Sequence, residues 1–147
     1  MRSHSPLGPT VLAVILAFTL ASALAINPYR YGVDDNSITI PFLKASVNPA
    51  LYPGDYFVAQ RPFYYTFLWN TLGQLHLRLA IDLPVLFFAT YLGALYFTFL
   101  GMYLIACTLF ESREVAMLSL LFLLFSKMTL AAVPTLETTL TTRAVAM

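Results

Sequence analysis

The stretch LPVLFFATYLGALYFTFLGMYLIACTLF, Leu83 to Phe110, contains no charged residue. About 20 consecutive apolar residues are enough for a helix to cross the hydrocarbon core of a bilayer. Asp82 precedes the stretch and Pro84 lies in its first turn, a combination typical of a helix N-terminus. We therefore predict a membrane-spanning helix over residues 83–109.

The composition of the whole chain supports an integral membrane protein. The 147 residues are 59% hydrophobic and only 10% charged, with a mean hydropathy of +0.76. Soluble domains carry roughly a quarter charged residues, so this chain lacks the polar side chains that would cover a globule. The formal net charge is +1 and there is no basic run, so no nucleic-acid partner is indicated. The lipid bilayer is the first predicted partner.

Two further spans are predicted, one on each side of the central stretch. The first covers residues 10–26, and the alternative for this segment is a cleaved signal peptide ending at Ala23-Leu24-Ala25. The third covers residues 115–133 and follows a tight turn at residues 110–114. The predicted fold class is an all-α membrane protein with three transmembrane helices and a helical extracytoplasmic loop between the first and second.

The predicted location is the cell (plasma or inner) membrane, with several passes. The secretory-like N-terminus places the first residues in the cytoplasm and residues 27–82 outside it. The distribution of Lys and Arg does not favour this orientation, because the exported loop holds four of them: Arg30, Lys44, Arg61 and Arg78. Long loops, however, can be translocated largely regardless of their charge.

The loop over residues 27–82 is predicted to be structured. The segment NSITIPFLKASV (36–47) has Ile38, Phe42 and Ala45 at helical spacing, with Asp35 or Asn36 available as a cap. Residues 61–79 place apolar side chains on one side of a second helix, with Tyr and Trp of the types found at membrane surfaces. We predict that this second helix lies in the plane of the membrane interface.

Asp34 and Asp35 are the predicted catalytic residues. One carboxylate just above the membrane can act as a general base on an acceptor hydroxyl, or can bind a metal next to a phosphate. Adjacent residues on a helix point in different directions, so only one of them would serve a single centre. The alternative is a turn and helix cap, where aspartate is favoured for local hydrogen bonds.

Four cations are predicted to contact a substrate phosphate. Lys44 and Arg61 lie in the loop, and the alternative role for both is to anchor the loop to anionic lipid headgroups. Lys127 lies inside the predicted third span, where it either pairs with an anion or extends toward the interface. Arg143 lies in the tail. His4 and His76 are interpreted as ordinary surface or interfacial residues, and no Cys/His spacing indicates a metal site.

The tail over residues 134–147 ends in RAVAM, which is interpreted as the start of a further apolar segment. Three spans followed by an interrupted fourth are expected of a truncated fragment of a larger membrane protein.

The segment NPYRYGVDDNSITIPFLKASVNPALYPGDYFVAQRPFYY (27–65) resembles the start of polytopic glycosyltransferases of the GT-C type, including bacterial protein mannosyltransferase-like and aminoarabinose transferase-like enzymes. In that family an acidic residue soon follows the first span, in a large extracytoplasmic loop with interfacial helices. The resemblance implies transfer of a sugar from a polyprenyl-phosphate donor, with Asp34 or Asp35 as base and, in some members, a divalent metal.

The same resemblance implies many more helices and a C-terminal domain, so the printed residues alone would be inactive. No cofactor is otherwise evident from the residues. The main alternative is a non-enzymatic small membrane subunit, whose aromatic cap over residues 63–69 docks against the helices of a partner protein. Part of a transporter is a further alternative, although the predicted spans lack the broken, polar helices of transporters.

Overall fold

The structure of the chain is a computed structural model. It describes the following residues: 7–26, 28–33, 35–60, 67–125, 129–130 and 133–134. These residues form two compact units. The first unit contains residues 7–29 and 92–134, and the second contains residues 30–91.

The described structure is almost entirely helical. In chain order the α-helices are α1 (Pro9–Ala21), α2 (Asn36–Val47), α3 (Tyr56–Ala59), α4 (Phe67–Leu79), α5 (Leu83–Phe110) and α6 (Arg113–Phe125). The remaining elements are a π-helix (Ser22–Ile26), a 3₁₀-helix (Pro49–Leu51) and the strands β1 (Thr129–Leu130) and β2 (Val133–Pro134).

Two helices are long and apolar enough to cross a membrane. The first runs over Pro9–Ile26, because the π-helix continues α1, and its mean hydropathy is 2.3. The second is α5, with 28 residues and a mean hydropathy of 1.8. Only 22% of the most apolar window of each helix is buried, whereas the core helix of a soluble protein is mostly buried. These bounds agree with the predicted spans to within one residue.

The predicted third span over residues 115–133 is not confirmed. Helix α6 has 13 residues, which corresponds to about 20 Å of helix and is shorter than a bilayer core of about 30 Å. Beyond it, β1 and β2 form an antiparallel pair where the prediction had helix.

The start of α6 is fixed by a local cap. The backbone N–H of Val115 donates to the Ser112 hydroxyl oxygen at 3.3 Å, and that hydroxyl donates to the Glu114 carboxylate at 2.8 Å. The backbone N–H of Glu114 and then the Ser112 hydroxyl lower the pKa of the Glu114 carboxyl below its usual value. Charged Glu114 suits this position, because the first turn of a helix favours negative charge.

Helix α2 begins at the predicted place and buries two of the three apolar residues noted at helical spacing, Phe42 and Ala45, but not Ile38. Phe42, Leu43 and Ala45 are buried, while Ile38 is 49% exposed. The backbone carbonyl of Asp35 accepts the first helical N–H groups, and its side chain makes no capping hydrogen bond. Asp35 therefore occupies the N-cap position of α2, but its carboxylate does not cap the helix.

The turn that follows α2 agrees with the sequence. Gly54 has a φ of +77°, and the Asp55 N–H donates to the Tyr52 carbonyl at 3.4 Å. This is the geometry of a type II turn, which prefers proline and then glycine at its centre. Asp55 next caps α3, because its carboxylate accepts the N–H of Val58 at 3.0 Å. Asp55 is therefore both the last residue of the turn and the N-cap of α3.

Helix α4 buries a face that the prediction did not identify. Trp69, Leu72 and Gly73 are buried, whereas Phe67 is 87% exposed and Leu79 is also exposed. Trp69 was expected at the membrane surface or in a docking cap. It instead packs inside its own unit. Three other aromatic residues of that cap, Phe63, Tyr64 and Tyr65, lie outside the described residues.

The second unit is organised around Phe87, which is fully buried on α5. The Trp69 ring stacks on Phe87 with centroids 5.5 Å apart and planes 16° apart. Tyr31 meets Phe87 edge-to-face at 5.6 Å and 89°. Stacked and edge-to-face pairs at these distances are favourable beyond their buried area. Phe87 therefore joins the first turns of α5, helix α4 and the segment before α2.

Candidate functional site

The second unit contains a cavity of about 480 Å³. Small-molecule sites have volumes of about 300–1,000 Å³ and combine apolar walls with a few polar groups. The lining residues come from the segment before α2, from α2 and the loop after it, from the end of α4 and from the start of α5: Tyr31, Leu43, Lys44, Val47, Leu51, Tyr52, His76, Asp82, Leu83 and Pro84. The cavity thus combines an apolar wall with two charged side chains, an imidazole and two phenols.

Lys44 is placed at the cavity by helix α2. It lies in the last turn of that helix, where a cation is favoured by the helix dipole. Its neighbour Leu43 is fully buried and also lines the cavity. The exposed ammonium group can therefore reach a ligand at the cavity mouth while the backbone beneath it is held by packing.

His76 is held at the end of α4 by a specific hydrogen bond. Its Nδ1 lies 2.7 Å from the carbonyl oxygen of Ile81. A carbonyl oxygen can only accept, so Nδ1 carries the hydrogen and donates it. The interpretation of His76 as an ordinary surface residue did not anticipate its place in a cavity wall.

Asp82 lies where α4 is followed by α5. Its backbone carbonyl accepts the N–H groups of Val85 and Leu86, both at 3.1 Å, and so begins helix α5. The carboxylate is exposed and lines the cavity. It is therefore available to a ligand.

Tyr31 provides a hydroxyl that stays protonated. Burial raises the pKa of the Tyr31 phenol above its ordinary value of 10.0, and the nearby Tyr52 raises it further. At neutral pH the phenol is therefore a hydrogen-bond donor, which suits an anionic or hydroxyl-bearing ligand.

We expect Tyr31 to make the second unit sensitive to alkaline pH. A raised pKa means that the folded chain keeps a proton that the unfolded chain loses, so stability is lost as the pH rises above about 10. In Tyr31→Phe, the fall in the unfolding midpoint between about pH 10 and 11 should be smaller than in the wild type. The intrinsic fluorescence of Trp69 reports unfolding. Tyr56→Phe alters an exposed phenol and is the control; an equal effect of both substitutions would contradict the assignment.

The predicted catalytic pair is only partly described. Asp34 lies outside the described residues, and Asp35 is exposed at the start of α2 and does not line the cavity. Lys44 lies nine residues further along the helix, which corresponds to about 13 Å along its axis. Of the described carboxylates, Asp82 and not Asp35 shares a cavity with Lys44. The assignment of Asp34 or Asp35 as base stays a prediction.

Of the four cations predicted to contact a substrate phosphate, only Lys44 lies among the described residues. Lys44 lines the cavity. Arg61, Lys127 and Arg143 lie outside the described residues.

Asn36 is buried in the second unit, although its predicted role was only that of a possible helix cap. Its side chain is fully buried, and neither amide atom has a hydrogen-bond partner among the described residues. A buried polar group without a partner costs about 1–3 kcal/mol, so the position is destabilising as it stands. There was little indication in the sequence that Asn36 is buried, because asparagine and aspartate are both common in exposed turns.

The described residues do not fit a metal ion. Among them no group of three or more His, Cys, Asp or Glu side chains lies close enough to hold one. His76 and Asp82 are the only such side chains that line the cavity, whereas divalent cations require several ligands.

Comparison with protein-family models, with curated proteins and with solved structures finds no match for this chain.

Proposed function

We propose that this chain is the donor-binding N-terminal part of a membrane glycosyltransferase that takes its sugar from a polyprenyl-phosphate carrier. The observation that supports the proposal best is the cavity of the second unit, with Lys44, His76 and Asp82 in its walls. The resemblance of residues 27–65 to GT-C enzymes is consistent with it.

The proposed location rests on two features of the chain. The length and hydropathy of Pro9–Ile26 and α5 support two membrane crossings. The secretory-like N-terminus supports an extracytoplasmic position for residues 27–82. Leu83 and Pro84, at the start of α5, line the cavity. The cavity therefore lies near the membrane surface, where a lipid-linked sugar presents its phosphate.

The chemistry of the cavity walls matches such a donor. Lys44 supplies a cation for the phosphate, and charge-assisted hydrogen bonds of this kind are about twice as strong as neutral ones. Leu43, Val47 and Leu51 supply an apolar wall for the first isoprene units. The Tyr31 phenol is a donor for phosphate or sugar oxygens.

The proposed reaction needs one base and one anion-binding site. The hydroxyl oxygen of the acceptor bonds to the anomeric carbon, and the bond from that carbon to the phosphate oxygen breaks. The bonding electron pair leaves with the polyprenyl phosphate, and the hydroxyl proton passes to a carboxylate. A positioned base typically contributes a factor of about 10² to 10⁴ in rate. Asp82 is the carboxylate that shares the cavity with Lys44, and Asp35 is the alternative predicted from sequence.

The proposal is tested by the loss of Lys44. Vesicles containing the full-length gene product receive undecaprenyl-phosphate mannose or undecaprenyl-phosphate aminoarabinose together with a cell extract as the source of acceptors. The readout is the undecaprenyl phosphate released, which reports transfer to any acceptor. In Lys44→Gln we expect KM for the donor to rise about tenfold or more, because a charge-assisted hydrogen bond to the phosphate is lost.

Arg78→Gln is the matched control. Arg78 is an exposed cation in the last turn of α4 that does not line the cavity. Its loss should leave KM unchanged within about twofold, because an exposed charge outside the site contributes little. Failure of the wild-type protein to convert either donor would contradict the proposed function. An equal rise of KM in both variants would show only a general attraction between the protein and anionic lipid.

A further inference from the structure

We propose that His76 is a second phosphate-binding residue of the cavity and that it contacts the phosphate through Nε2. The inference rests on the proposed function only for the identity of the lipid that carries the phosphate. The geometry that supports it lies entirely within residues 76–84 and the cavity that they line.

The chain reversal after α4 fixes the imidazole. Ala80 adopts a left-handed conformation with a φ of +52°, which returns the Ile81 carbonyl toward the end of the helix. That carbonyl accepts the Nδ1–H of His76 at 2.7 Å. Histidines that bind a ligand or transfer a proton commonly have one nitrogen held in this way by a backbone carbonyl. Nε2 is then the nitrogen left for a ligand.

The charge balance of the cavity favours an anion contact for that nitrogen. Lys44 and Asp82 have opposite charges, so the Asp82 carboxylate offsets part of the attraction of Lys44 for a phosphate. Among the other described side chains that line the cavity, only that of His76 belongs to a type that can carry a positive charge. An imidazolium donates from Nε2, and phosphate oxygens only accept. A phosphate that contacts Lys44 and the imidazolium form of His76 therefore meets two cationic donors and one carboxylate.

Two amide substitutions separate Nε2 from the structural hydrogen bond. In His76→Asn the amide nitrogen lies near the position of Nδ1, so the bond to the Ile81 carbonyl can be kept while the Nε2 donor is lost. In His76→Gln the amide nitrogen lies near the position of Nε2, so a donor to the phosphate is restored without the bond to Ile81. A purely structural role of His76 therefore predicts that His76→Asn binds phosphate better than His76→Gln. A phosphate contact through Nε2 predicts the opposite order of affinity.

The experiment uses the chain in phosphatidylcholine nanodiscs and measures the affinity for undecaprenyl phosphate, without any sugar or acceptor. We expect His76→Asn to bind about tenfold more weakly at an unchanged unfolding midpoint, and His76→Gln to recover most of the affinity. Arg78→Gln, which removes a cation outside the cavity, should bind like the wild type. Wild-type affinity in His76→Asn, or an equal loss in both His76 variants, would overturn the inference.

Two further probes identify the source of the phosphate. Undecaprenol has the same lipid tail without the phosphate, and inorganic phosphate has the charge without the tail. We expect both to bind much more weakly than undecaprenyl phosphate. Equal binding of undecaprenol would overturn a phosphate contact, and equal binding of inorganic phosphate would overturn the lipid carrier.

This test can fail separately from the proposed function. Absence of sugar transfer in the full-length protein, with binding of undecaprenyl phosphate that depends on Nε2, would refute the glycosyltransferase and leave the phosphate site intact. Normal transfer and a normal donor KM in His76→Asn would refute the role of His76 and leave the glycosyltransferase intact.

Discussion

Replacement of Asp82 by asparagine is expected to reduce sugar transfer by a factor of about 100 or more, because a positioned general base contributes at least that much. The substitution keeps the size and shape of the side chain and the backbone carbonyl that begins α5. It removes only the negative charge and the ability to accept a proton. If Asp82 is the base, kcat falls while the donor still binds.

The affinity for undecaprenyl phosphate provides the decisive second measurement for Asp82→Asn. A carboxylate in the cavity wall repels a phosphate, so its neutralisation should leave the affinity unchanged or raise it by a few fold. Loss of transfer together with loss of binding would indicate a damaged cavity and would contradict the assignment of Asp82 as base.

Asp55→Asn and Asp35→Asn complete the comparison. Asp55 caps α3 through its carboxylate, and asparagine caps about equally well, so this variant should keep full transfer. Asp35→Asn tests the prediction made from sequence. Loss of transfer in Asp35→Asn, with full transfer in Asp82→Asn, would assign the base to the acidic pair after the first span and not to the cavity.

The ends of the two long apolar helices were predictable because their signals are local. An uncharged run of 28 residues requires a helix in a membrane, and proline in its first turn marks where that helix begins. The turn at Pro53-Gly54 could be predicted equally well from the sequence, because only a few residue types adopt the backbone angles at the centre of such a turn. In each case the interactions that decide the structure lie within a few residues of one another.

The packed face of α4 could not be predicted in the same way. Helical spacing shows which apolar residues share a side of the helix, but α4 carries apolar residues on more than one side. The choice depends on a partner far along the chain, since Trp69 is buried by stacking on Phe87. Because Trp and Tyr are common at membrane surfaces, composition favoured the wrong environment for Trp69.

The cavity could not be predicted from the sequence for the same reason as the packed face of α4: it depends on contacts between residues that are distant in sequence. Its polar side chains, at positions 31, 44, 76 and 82, are too far apart in sequence to form a motif. Lys44 was predicted because a cation in the loop after the first predicted span can contact the phosphate of a lipid-linked donor. His76 was missed because a single histidine gives no spacing to interpret, and its distinguishing feature is a hydrogen bond to the Ile81 carbonyl. Only the fold shows that bond.

Replacement of Phe87 by alanine is expected to destabilise the second unit by about 3–5 kcal/mol, the range found when a buried aromatic side chain is removed. Phe87 is fully buried and is the common partner of Trp69 and Tyr31. Its loss leaves a void beside both rings and also removes the two aromatic contacts. Since Tyr31 lines the cavity, the affinity for undecaprenyl phosphate should fall together with stability.

The single tryptophan of the chain makes this prediction directly measurable, because Trp69 stacks on the residue that is changed. Chemical unfolding in nanodiscs, followed by Trp69 fluorescence, gives the free energy of unfolding of the second unit. Phe67→Ala is the matched control: it makes the same chemical change on α4, in the same unit, at a side chain that is 87% exposed. We expect the control to cost less than about 1 kcal/mol, because little packing is lost at an exposed position. Equal losses in the two variants would mean that Phe87 does not organise the core around the cavity.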